Sequence, residues 1–107
     1  MTEPLRVLIV EDSEDDALLI VRELRKGGLD PAFERVESPK AMEERLRGQK
    51  WDIVLADYSM PLFNGLDALR ILQESGHDVP FIIISGSIGE ETAVTAMKAG
   101  AHDYVMK

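Results

Sequence analysis

Three short runs of mostly branched apolar residues, Leu5 to Val10, Ile53 to Ala56 and Phe81 to Ile84, constrain this chain more than any other feature. Runs that are apolar at nearly every position, rather than at alternate ones, suit parallel strands covered on both faces. Between them lie segments with helical period: Ala17, Leu18, Val21 and Leu24 in the first, Met42 and Leu46 in the second, Leu69 and Leu72 in the third. Strand and helix in alternation lead to a doubly wound α/β fold, a parallel sheet with right-handed crossovers and helices on both faces. A ligand site in such a sheet lies beyond the carboxyl ends of its strands.

The punctuation agrees. Gly27-Gly28 closes the first helix, and Ser38-Pro39 supplies an N-cap followed by proline at the first helical position. Gly89 to Ala99 reads as a fourth helix with Glu90 and Glu91 in its first turn, Ala93, Ala96 and Met97 facing inward, and Gly100 as its end. Asp103 to Met106 is a short fifth strand. Ala32 to Val36 is a further strand whose Pro31 and interleaved Glu34 and Arg35 suit a sheet edge. The sheet therefore has five strands.

The 107 residues suffice for one domain over 1–107, and the apolar fraction of 45% beside 30% charged residues permits a packed core. A net charge of −8 argues against a grip on nucleic acid, which depends on clustered Lys and Arg. Cys is absent, so neither a disulfide framework nor a thiolate metal site is available. Neither a bilayer-spanning apolar run nor a signal-peptide core is present, and a cytoplasmic location without membrane attachment is expected.

Chemistry gathers at the strand ends. Glu11-Asp12 follows the first strand, Asp57 ends the third, Ser85 the fourth and Lys107 the fifth. With neighbouring strands about 4.8 Å apart, the Asp12 and Asp57 carboxylates can reach one small cation. A few hard oxygen ligands, with room for water and a phosphoryl oxygen, favour Mg²⁺ over a calcium cage. Zinc and copper lack their usual partners, since His77 and His102 fall in surface loops. A carboxylate nucleophile beside a divalent ion and a fixed ammonium suits phosphoryl transfer, with Asp57 as the attacking group. Read singly, each residue has a plainer role: Glu11-Asp12 as a helix cap, Asp57 as a turn starter, Ser85 in a Ser-Gly-Ser connection, Lys107 as a solvated terminus, Tyr104 as core. Their shared location at strand ends favours the joint reading.

The acidic pair after the first strand, Asp57 followed by Met60-Pro61 and Asn64-Gly65, Ser85, Ala99-Gly100-Ala101 and Tyr104-Val105-Met106-Lys107 together resemble the receiver domains of two-component response regulators. The resemblance covers nearly the whole chain. It implies a flavodoxin-like strand order 2-1-3-4-5 and a signalling domain, not an enzyme, that promotes its own phosphorylation and dephosphorylation. By the same resemblance Asp57 accepts phosphate from a histidine kinase or histidine phosphotransfer protein. The resemblance further implies that Asp12 and Asp57 bind Mg²⁺ directly, Glu11 largely through water, and that the backbone carbonyl of Ser59 completes the protein ligands. It implies too that Lys107 contacts a phosphoryl oxygen, that Ser85 moves toward another, and that Tyr104 turns inward as the switch, biasing an output domain or protein.

Other classes fit less well. Ser85-Gly86-Ser87-Ile88-Gly89 lacks the spacing of a nucleotide-binding loop. An aspartyl-phosphate hydrolase would resemble a pattern with a second Asp where this chain has Ser59. A receiver-like binding module that is never phosphorylated is the remaining alternative. Two departures from the family stand out: Gly86 where receivers commonly carry Ala, and a chain ending at Lys107 where they continue into a fifth helix. Without that helix, uncovered apolar surface would favour a homodimer.

Overall fold

The computed structural model describes residues 4–58, 64–85 and 90–106, with backbone alone for 90–93 and 106. Strands and helices alternate: β1 (Leu5–Val10), α1 (Glu14–Lys26), β2 (Pro31–Val36), α2 (Pro39–Gly48), β3 (Ile53–Asp57), α3 (Gly65–Ser75), β4 (Phe81–Ser85), α4 (Glu90–Ala99) and β5 (Asp103–Met106). All strand pairs are parallel, in the order β2-β1-β3-β4-β5. The Pro31 strand occupies an edge, where a residue without an N–H costs the ladder least.

Alternate side chains of each central strand feed opposite faces of the sheet. Leu8, Val10, Val54, Ala56, Phe81 and Ile83 pack with Met42 and Leu46 of α2, Leu69 and Leu72 of α3 and Ala96 of α4. Val7, Ile9, Leu55 and Ile84 pack with Ala17 and Val21 of α1 on the other face. Burial on both faces is why these strands are apolar at consecutive positions.

Helix ends follow local chemistry. Ser13 caps α1 by accepting from the Asp16 N–H at 3.3 Å, and Ser38 caps α2 by accepting from Ala41 at 3.2 Å. Gly100 follows α4 at φ +116°, and a Cβ there would lie 2.6 Å from Gln73 Nε2, which donates to the Ala99 carbonyl at 2.8 Å.

Two inward assignments are corrected. Leu18 is 49% and Met97 44% exposed. The buried stripe of α1 runs through Ala17 and Val21, and in α4 Ala96 holds the buried position, so each larger residue sits one position past the stripe, on the helix flank. His102 is exposed as expected, yet its Nδ1 accepts the Phe81 N–H at 3.0 Å while its own N–H donates to the Phe81 carbonyl at 2.8 Å. Gly89, at the expected start of α4, lies outside the described residues.

Trp51 lies at the amino end of β3, 7% exposed, with Nε1 donating to the Arg45 carbonyl at 3.0 Å. Among the described residues no helix is long and apolar enough to cross a membrane.

Candidate functional site

The register decides which strand-end residues meet. Val10 pairs with Ala56, so one residue further along each strand sets Glu11 beside Asp57. Asp57 pairs in turn with Ile84, leaving Ser85 one step beyond on β4. Carboxylate oxygens of Glu11, Asp12 and Asp57 all lie within 4.8 Å of one another. Glu11 is fully buried, Asp57 is 7% exposed, and Asp12 opens to solvent.

Local structure holds each carboxylate bearer. The Glu11 N–H extends the β1–β2 ladder to the Val36 carbonyl at 3.0 Å, and Glu11 Oε1 accepts from the Ser13 N–H at 3.1 Å. Behind Asp57, the Tyr58 N–H donates to the Ile84 carbonyl at 3.2 Å, and the Gly65 N–H to the Tyr58 carbonyl at 3.3 Å. A Cβ on Gly65 would come within 3.3 Å of both the Asp57 carbonyl and Tyr58 Cα, so glycine lets α3 begin directly against the acidic strand end. Asn64 and Asp67 cap that helix reciprocally: Asn64 Oδ1 accepts from Asp67 N–H at 3.0 Å and Asp67 Oδ2 from Asn64 N–H at 3.1 Å.

Ser85 is 1% exposed and pairs with Met106, while Tyr104 is half-buried, pairs with Ile83 and packs against the larger core cluster. Of the expected site residues, Glu11, Asp12, Asp57 and Ser85 gather at one rim, with Tyr104 on the neighbouring strand. Ser59 and Lys107 lie outside the described residues.

Three carboxylates so close are a costly arrangement unless positive charge sits among them. Their donor set fits a hard divalent ion. Carboxylate oxygens within 4.8 Å of one another can share one such ion.

Residues 7–107 match the response regulator receiver domain family. The chain belongs to that family. Chemotaxis protein CheY of Thermotoga maritima is 31% identical over 102 residues, which cover 95% of this receiver and 84% of that protein. A response regulator from Hahella chejuensis superposes with a TM-score of 0.81 at 28% identity, covering 96% of this chain and 80% of that one. The receiver domain of a sensor histidine kinase from Pseudomonas aeruginosa, solved with a magnesium ion coordinated in its active-site cleft, gives 0.77 at 25% identity, covering 98% and 86%. Receivers serve phosphorylation-dependent signalling in two-component systems, and this chain is a signalling domain of that kind.

Arg35 was not foreseen as a neighbour of the site. From the end of β2 its Nη1 donates to the Glu11 carbonyl at 3.2 Å and lies 3.6 Å from Glu37 Oε2. Nothing local in the sequence marks this contact, because it spans 24 residues and depends on the β1–β2 register.

Proposed function

We propose that this receiver is a phosphorylation switch in which Asp57 takes a phosphoryl group from a phosphohistidine on a histidine kinase or histidine phosphotransfer protein. The observation that carries the reading is the convergence of the Glu11, Asp12 and Asp57 carboxylates within 4.8 Å. An Asp57 oxygen forms the new bond to phosphorus as the bond from phosphorus to the donor imidazole nitrogen breaks. The imidazole leaves with that electron pair, and an aspartyl phosphate remains. Positioning and neutralisation of phosphoryl charge supply most of the acceleration in such transfers.

Asp12 and Asp57 would hold Mg²⁺ directly and Glu11 largely through water, with the Ser59 carbonyl completing the set. Bound Mg²⁺ supplies positive charge against the phosphoryl oxygens. Lys107 would contact one phosphoryl oxygen, a role that rests on the family resemblance alone. Ser85 would hydrogen-bond another, with Tyr104 turning inward in response. Support for this pair is their placement on adjoining strands, Ser85 buried at the rim and Tyr104 half-buried against the core. A hydrogen bond to a charged group contributes about 1.5–3 kcal/mol, similar to the roughly 1–3 kcal/mol of typical allosteric coupling. Phosphorylation therefore shifts populations within one fold and biases an output partner. Exposed Val94, Met97 and Val105 support self-association of the chain as a homodimer. A cytosolic setting fits a kinase-fed switch.

Incubation with Mg²⁺ and acetyl phosphate, followed by intact mass, tests the reading. One phosphoryl adduct is expected on the wild type, none with a chelator, and none on Asp57→Asn. An adduct that forms equally on Asp57→Asn would sink the role of Asp57, and no Mg²⁺-dependent adduct on the wild type would sink the reading in favour of a binding module that is never phosphorylated.

A further inference from the structure

Glu11 lies one residue beyond the last β1–β2 pair, Val10 with Val36. Its N–H donates to the Val36 carbonyl at 3.0 Å and its carbonyl accepts from Arg35 Nη1 at 3.2 Å, so consecutive residues of β2 grip both ends of Glu11. The Glu11 carbonyl belongs to the peptide unit that carries the Asp12 nitrogen. Because that unit is planar and stiff, fixing it restricts ψ of Glu11 and φ of Asp12 together. Those two angles set the direction in which the Asp12 side chain leaves the backbone.

The two acidic neighbours differ in how much else holds them. Glu11 is fully buried and its Oε1 accepts from the Ser13 N–H, whereas Asp12 is exposed. The Arg35 side chain, 29% exposed, is itself steadied by Glu37 at 3.6 Å.

We infer that Arg35 is a positioning residue that acts through the Glu11–Asp12 peptide to aim the Asp12 carboxylate at the divalent cation. The inference rests on the cation site proposed above. A pure charge effect would have the opposite sign, because a guanidinium near the site repels the ion and its removal would tighten binding. Loss of positioning weakens binding, by about tenfold, the lower end for groups that orient metal ligands.

Calorimetric titration of Mg²⁺ into the wild type, Arg35→Ala, Arg35→Lys and Asp12→Asn separates these effects. Arg35→Ala is expected to bind about tenfold more weakly, and Arg35→Lys, which keeps the charge and a single donor, to fall between it and the wild type. In acetyl phosphate labelling the Mg²⁺ concentration for half-maximal rate rises in Arg35→Ala, while the rate at saturating Mg²⁺ matches the wild type. A general loss of structure would lower that maximal rate as well. Arg35→Ala binding as tightly as the wild type, or more tightly, overturns the inference. Should Arg35→Ala fail to fold by circular dichroism, Arg35→Lys decides, and wild-type affinity in that variant overturns it equally. Mg²⁺ binding that Asp12→Asn loses and both Arg35 variants keep defeats the role of Arg35 alone. A wild type that binds no Mg²⁺ defeats the cation site and this inference with it.

Discussion

Where α4 ends, Gly100 at φ +116° faces the amide of Gln73, and the two residues are tied to one geometry. An alanine at position 100 meets both a backbone conformation that costs an L-residue about 1–2 kcal/mol and the Gln73 Nε2 atom. Gly100→Ala is expected to lower stability by about 2 kcal/mol in urea unfolding with an unchanged m-value. On a Gln73→Ala background the loss should be smaller, because only the backbone cost remains, and a double-mutant cycle measures the difference. The acidic cluster predicts the reverse sign. Each carboxylate pair, within 4.8 Å, repels by roughly 1 kcal/mol or more even at the dielectric constant of water. Asp12 belongs to two of these pairs, so Asp12→Asn should stabilise the Mg²⁺-free protein by about 2 kcal/mol at low salt, and the gain should shrink as salt approaches 1 M.

At the scale of elements, α3 stands against the site through its cap. The Asn64–Asp67 box satisfies two end N–H groups at the point where Gly65 touches the Asp57 backbone. Asn64→Ala is expected to cost about 1 kcal/mol in chemical unfolding. It should also slow acetyl phosphate labelling more than Ser38→Ala, which removes the equivalent cap from α2 but leaves the Asp57 loop alone. The cap of α2 was readable from Ser38-Pro39, and the buried strands from Leu5 to Val10 and Phe81 to Ile84, because those signals are local. The strand-end carboxylates were readable too, since a parallel sheet sends every strand end to one rim. Leu18 and Met97 were misplaced because a helical period fixes a stripe only to within one position. The Arg35 contact and the His102 ring that accepts the Phe81 N–H depend on strand register, which no short stretch of sequence encodes.

Across the whole molecule, a net charge of −8 makes any cation mildly stabilising, so a specific site has to be distinguished from general screening. Mg²⁺ at one hundred times its dissociation constant should raise unfolding free energy by about 2.7 kcal/mol, and sodium at matched ionic strength by much less. Asp57→Asn should lose most of the Mg²⁺ increment while keeping the sodium one, and thermal unfolding in the two salts checks both. Trp51 makes that measurement straightforward. From Ile53 to Asp57 the strand rises about 13 Å, so the chain's single indole is anchored at the far end of β3 from the carboxylates. It is an intrinsic optical gauge of folding whose native-state emission should stay level during a magnesium titration, so wild type and variants can be compared on one baseline.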